Sequence, residues 1–144
     1  MAQIALFVGS VSRDRQGIKV ARWIEEKLIA RGHIVYFIDP LELNLPLLDR
    51  MYKEFGNPPS MLRDLQNKIK NAEGYLAVTP EYNHSTSAAM KNTLDYFLEE
   101  YFFKPSAIVS YSAGGFGGVN AAQHLRLIFA ELGAPFDIIF FRDI

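Results

Sequence analysis

The chain has no cysteine among its 144 residues. That removes disulfides, thiolate nucleophiles and cysteine metal ligands together, and it fits a reducing compartment, read here as the cytoplasm. Charge of one sign is missing as well. Fifteen Lys and Arg stand against sixteen Asp and Glu, a net charge of −1. No basic cluster recurs along any face, so neither a nucleic-acid partner nor a membrane surface is indicated. There is no long hydrophobic run. The apolar start at residues 4–8 is too short to cross a bilayer, and no basic region precedes it as in a signal peptide. Histidine is scarce: His33, His84 and His124 have no spacing suited to one metal site, so no metal is expected. With no repeat, low-complexity tract or linker, residues 1–144 are read as a single domain.

What the chain does have is a regular alternation. Apolar runs of strand length lie at residues 4–8, 34–38, 75–78, 107–111 and 136–141. Between them, apolar residues recur at helical spacing. Ile18, Ala21, Ile24 and Leu28 mark a first helix, and Leu62, Leu65, Ile69 and Ala72 a second. Met90, Leu94, Phe97, Leu98 and Tyr101 mark a third, and Ala122, Leu125, Phe129 and Leu132 a fourth. Residues 39–59, with Pro40, Pro46, Gly56, Pro58 and Pro59, read as a long irregular connection. Continuous apolar strands imply a parallel sheet covered on both faces. With right-handed crossovers, the pattern predicts a doubly wound, flavodoxin-like α/β sheet of five parallel strands in the order 2-1-3-4-5. Its switch point lies between strands 1 and 3. The loops after strands 1, 3 and 4 are therefore expected to converge on one ligand.

Those three loops are the specialised ones. After strand 1 comes Gly9-Ser10-Val11-Ser12-Arg13-Asp14-Arg15-Gln16-Gly17, opening a helix. Hydroxyls and guanidiniums at a helix amino terminus suit an anion, most naturally a phosphate. The loop matches neither the triphosphate-binding nor the dinucleotide-binding glycine fingerprint. After strand 3 comes Pro80-Glu81-Tyr82-Asn83-His84-Ser85-Thr86. Pro80 ends the strand, Asn83 and His84 read as turn residues, and Ser85 or Thr86 is expected to cap the following helix. After strand 4 comes Ser112-Ala113-Gly114-Gly115-Phe116-Gly117-Gly118. Its glycines let the backbone approach a ligand closely.

Gly9-Ser10 with Arg15-x-Gly17, then Pro80-Glu81-Tyr82-Asn83 with Lys91-Asn92-x-x-Asp95, then Gly114-Gly115-x-Gly117-Gly118 resemble the NADPH-dependent FMN reductases. That group includes quinone, azo-dye and chromate reductases, and the resemblance covers almost the whole chain. It implies FMN as cofactor and NADPH or NADH as co-substrate. It also implies a small-molecule electron acceptor and assembly as a homodimer or homotetramer. By resemblance, Ser10, Ser12, Arg15, Gln16 and Gly17 hold the FMN phosphate. Pro80, Glu81, Tyr82 and Asn83, with Ser112, Gly114 and Gly115, line the isoalloxazine ring. Because the flavin carries the chemistry, no side chain is assigned a catalytic role. A flavodoxin-type carrier without NAD(P)H turnover shares the fold, but such carriers are strongly acidic, unlike this chain. A flavin-free interaction protein on the same fold is the other alternative.

The chain departs from the family in three places. Ser12 stands where an arginine is common, and Ser87 where a proline often follows the Asn loop. Family members usually continue past strand 5 into a last helix, whereas this sequence stops at Ile144. On that ground Val78, Ile108, Val109, Ile138 and Phe140 are expected to be partly bare beside the first helix. A partner copy, or the tail 141–144, is then expected to cover them.

Overall fold

Burial ranks the strands, and the ranking places them. In β1 (Gln3–Val8) the last four residues are buried, and in β3 (Gly74–Pro80) all but one are. Both lie mid-sheet. The more exposed β2 (Ile34–Ile38) is an edge. The computed structural model describes residues 1–140, with 136–140 as backbone alone. All strand pairings are parallel, β2 on β1, β1 on β3 and β3 on β4 (Ser106–Tyr111). The backbone of β5 (Phe136–Phe140) runs along the free side of β4. The helices are α1 (Gly17–Ala30), α2 (Pro40–Leu43), α3 (Ser60–Asn71), α4 (Ala88–Asp95) and α5 (Val119–Glu131). This is the parallel, flavodoxin-like α/β arrangement that the alternation implies.

Side-chain alternation along the strands divides the core in two. On one face Leu6, Val8, Val78 and Val109 pack under Val20, Ala21 and Ile24 of α1. On the other, Ala5, Phe7, Tyr75, Ala77 and Ile108 meet α3, α4 and α5 through Leu65, Ile69, Met90, Leu94, Leu125 and Phe129. This corrects the expectation of bare residues beside the first helix for Val78, Ile108 and Val109. Val78 and Val109 are buried in one cluster with Val20, Ala21 and Ile24 of α1, which packs on β3 as well as on β1 and β2. Ile108 is buried on the opposite face. The register sets Ile138 beside Ile108 and Phe140 beside Ser110, not in the row of Val109. The tail 141–144 lies outside the described residues.

Three local readings also change. The third helix stops at Asp95 instead of running to Tyr101. The Tyr96 carbonyl, which a continuing helix would offer to residue 100, accepts from the Tyr52 N–H at 2.8 Å. Leu98 then leaves the helical region, and a 3-10 turn, Glu99–Tyr101, follows. The cap of α4 is Ser87, not Ser85 or Thr86, its hydroxyl accepting from Met90 N–H at 3.0 Å. The other two hydroxyls are committed elsewhere, Thr86 to Thr79 and Ser85 to His124. Finally, the connection 39–59 holds a capped helical turn. Asp39 accepts from Leu41 N–H at 3.0 Å and Pro40 takes the first helical position, where its missing N–H costs nothing.

Candidate active site

The loops after β1, β3 and β4 open on one cavity of about 350 Å³. Its wall takes Ser10, Ser12, Asp14, Arg15 and Gln16 from the first loop. Pro80, Glu81 and Tyr82 come from the second, and Tyr111, Ser112 and Ala113 from the third. Convergence follows from topology: β1 and β3 are neighbours whose connections leave in opposite directions, which opens a crevice at their carboxyl ends.

The first loop closes on itself. Ser12 N–H donates to Ser10 Oγ at 3.2 Å, and Arg15 N–H to the Ser12 carbonyl at 3.2 Å. Gln16 precedes α1 without a capping side chain, leaving the amino-terminal N–H groups of α1 to other partners. Gln16 instead holds its own neighbourhood, donating to the Asp14 carbonyl at 3.0 Å and accepting from Lys19 at 2.7 Å. Arg15 is committed in a way the sequence did not suggest. Its guanidinium grips both oxygens of Asp39 at 2.6 and 2.7 Å and donates to the Ser10 carbonyl at 3.0 Å. Hydrogen bonding to Asp39 raises its already high pKa further, against the opposing effect of burial. Gly17 lies behind the wall rather than in it. A Cβ there would come within 2.1 Å of the Tyr111 hydroxyl, so the close approach of that ring requires glycine. Burial, with the neighbouring Tyr82, pushes the Tyr111 hydroxyl up to about 12, which keeps it neutral.

The second loop is a tight hairpin turn. Tyr82 and Ser85 exchange backbone hydrogen bonds at 2.9 and 3.0 Å, with Asn83 and His84 both at positive φ. Two consecutive left-handed residues make the turn that matches strand twist, and Asn and His tolerate that region better than most residues. Asn83 is thus a turn residue at the hairpin tip, outside the cavity wall. Tyr82 reaches back to the first loop, its hydroxyl 3.1 Å from Ser10 Oγ. Glu81 turns the other way and caps α5. Its carboxylate accepts from Asn120 N–H at 2.8 Å, Ala121 N–H at 3.2 Å and Asn120 Nδ2 at 3.3 Å. Burial alone would raise its pKa, but these bonds outweigh it and hold the carboxyl below its ordinary value.

That shift has a sign that can be tested. A lowered folded-state pKa gives stability that is present above the unfolded value and is lost as pH falls through the folded one. Glu81→Gln keeps an acceptor but removes the charge at the helix amino terminus. It is expected to cost about 0.3–1 kcal/mol near neutral pH and less at about pH 3, as the wild-type carboxyl begins to take up its proton. Urea denaturation of both proteins at the two pH values checks this; an equal deficit at both would contradict it.

The third loop divides. Gly117 and Gly118 adopt positive φ and turn the chain into α5. Gly114 and Gly115 stand in open space: an added Cβ meets only Ser112 Oγ, at 3.8 Å, from Gly114 and nothing within 4 Å from Gly115. The structure thus brings eight of the twelve expected residues into one wall and leaves Gly17, Asn83, Gly114 and Gly115 behind it or at its rim. Three wall residues were missed, Asp14, Tyr111 and Ala113, and so was Asp39, which lies outside the wall and holds Arg15. Tyr111 was hidden in an apolar strand run. Asp39 was signalled only by Asp-Pro at a strand end, a helix-start pattern. A second cavity, about 520 Å³, lies behind the hairpin between Ser85–Ala88, Lys91 and His124. Among the described residues no three His, Asp or Glu side chains form a metal-binding group. No helix among them is long and apolar enough to cross a membrane.

The donor set suits a flavin mononucleotide. Hydroxyls and a helix amino terminus are present for a phosphate, and the third loop follows its wall residues Ser112 and Ala113 with glycine backbone that has open space around it. Comparison with known proteins agrees. The chain is 33% identical to an NAD(P)H-dependent FMN reductase of a Nectria species, over 96% of this chain and 75% of that one. It is 32% identical to a quinone reductase of Pseudomonas putida, over 90% of this chain and 71% of the other. The flavoenzyme NAD(P)H:(acceptor) oxidoreductase FerB of Paracoccus denitrificans superposes with a TM-score of 0.79. Its identity is 22%, covering 99% of this chain and 78% of that one, a likeness of fold. The chain thus spans about three quarters of the length of each of these three proteins. The sequence model for NADPH-dependent FMN reductase matches residues 2–136, and the chain belongs to that family.

Proposed function

We propose that this chain binds FMN in the cavity shared by its three loops. In this reading it is an oxidoreductase that moves electrons from NADPH or NADH to a small acceptor, such as a quinone, an azo compound, a metal oxyanion or free flavin. The observation that carries the reading is one cavity walled by all three loops, with the polar residues Ser10, Ser12 and Gln16 just ahead of an uncapped helix start and Ser112 and Ala113 leading into open glycines. Ser10, Ser12, Gln16 and the start of α1 at Gly17 receive the phosphate, with Arg15 in the wall beneath them. Pro80, Glu81, Tyr82 and Asn83 form one edge of the ring site, and Ser112, Gly114 and Gly115 the other. When bound, FMN supplies the redox chemistry. The protein would orient it, and backbone N–H groups of the glycine loop would stabilise negative charge on the ring. Glu81 is spent on α5, and Tyr111 keeps its proton and so is no general base. We further propose assembly as a dimer or tetramer, supported by the family and by exposed Leu127 beside the second cavity.

If nicotinamide and acceptor use the open face of the site in turn, initial rates measured against both substrates give parallel double-reciprocal lines. Intersecting lines would contradict alternating use. No turnover of either nicotinamide by FMN-loaded protein would favour the carrier reading instead.

A further inference from the structure

Asp39 belongs to none of the three loops, yet its carboxylate is tied to the first of them. It closes β2 and is 2% exposed. A buried carboxylate is costly unless charge and hydrogen bonds meet it. Here both oxygens are met by Arg15 at 2.6 and 2.7 Å, and one also accepts from Leu41 N–H at 3.0 Å. Arg15 in turn donates to the carbonyl of Ser10, itself 1% exposed, whose hydroxyl meets Tyr82 and Ser12 N–H. A continuous chain of polar contacts therefore runs from the end of β2, under the first loop, to the hairpin that forms the opposite wall. A buried ion pair seldom adds stability over a well-packed apolar pair, so its value is better sought in the geometry it fixes.

We infer that Asp39 is a positioning residue for the phosphate loop. Its carboxylate holds the Arg15 guanidinium, and through it the Ser10 carbonyl, so that residues 10–16 are in place before a phosphate arrives. The pair is a preorganising device, cutting the cost of ordering the loop on binding. This inference rests on the reading of the cavity as an FMN site. It predicts an effect confined to the phosphate end of the ligand.

The test compares dissociation constants for FMN and riboflavin, read from quenching of flavin fluorescence, with denaturation of the flavin-free protein alongside. Asp39→Asn is expected to weaken FMN about tenfold or more and to leave riboflavin within about twofold. The paired change Arg15→Met with Asp39→Leu replaces ion pair by apolar pair. It keeps the fold should the single variant lose it, and it is expected to show the same selective loss of FMN. A folded variant of either kind with unchanged or tighter FMN binding overturns the inference, as does an equal loss of FMN and riboflavin. Wild-type protein that binds FMN no better than riboflavin sinks the phosphate-site reading itself, and this inference with it.

Discussion

Gly118→Ala is expected to destabilise the chain by about 3 kcal/mol or more, while Gly115→Ala, three positions earlier, changes stability by less than about 0.5 kcal/mol. Gly118 has φ of +76°, where a side chain pushes against its own carbonyl. An added Cβ would also lie 2.9 Å from the Tyr111 carbonyl oxygen and 3.0 Å from the Tyr111 nitrogen. These are backbone atoms of a central strand, which cannot move aside as the tip of a side chain can. Relief requires shifting the start of α5, with its Glu81 cap, away from β4. Gly115 has ordinary φ and nothing within 4 Å of the added methyl. On the proposed site its cost falls on the ligand: the methyl would stand beside the ring edge, and FMN binding is expected to weaken about tenfold. Urea denaturation of the flavin-free variants and flavin titration separate the two. A mild Gly118→Ala, or a Gly115→Ala as destabilising as its neighbour, would contradict the division.

That contrast shows what was legible in the sequence. The glycine run announced a backbone that approaches something closely, and its place after a strand set it among the loops of one site. Its letters could not say that two glycines face open space and one faces backbone, because that depends on which neighbour β4 and α5 bring up. The strand and helix pattern was readable for the same reason that it folds: apolar periodicity is the packing. It failed where packing and periodicity part company. Phe97, Leu98 and Tyr101 continue a helical stripe, yet the chain turns there because the 39–59 segment takes the Tyr96 carbonyl. The bare-face argument failed likewise. Counting helices per face says nothing of how far one helix reaches, and α1 packs on β3 as well as on β1 and β2. Arg15 was legible as a site residue, but its partner sits 24 positions away and only the fold joins them.

Arg15→Ala carries the second large effect. Asp39 would be left inside the protein with its main counter-charge gone, since the Arg15 and Asp39 side chains are 13% and 1% exposed. Removing one member of a buried pair typically costs about 3–5 kcal/mol, more than either member is worth as part of the pair. That is a large share of the roughly 5–15 kcal/mol that holds an ordinary domain together. FMN affinity is expected to fall as well, by about tenfold or more, as the Ser10 carbonyl loses its donor and the loop its support. Urea denaturation without flavin, followed by flavin titration under conditions where the variant is folded, measures the two losses separately. Stability within about 0.5 kcal/mol of wild type would mean that Asp39 finds solvent or another donor, and would contradict the buried-pair account.

The central claim is that three loops of this fold make one FMN site open to a nicotinamide. Its most direct test is a titration of the flavin-free chain with FMN, followed by addition of NADPH, and separately NADH, without air. The account predicts saturable binding of FMN in preference to riboflavin. It also predicts loss of the oxidised flavin absorbance with at least one nicotinamide and its return on adding a quinone. A chain that takes up no FMN, or whose bound FMN keeps its absorbance with both nicotinamides, would contradict it.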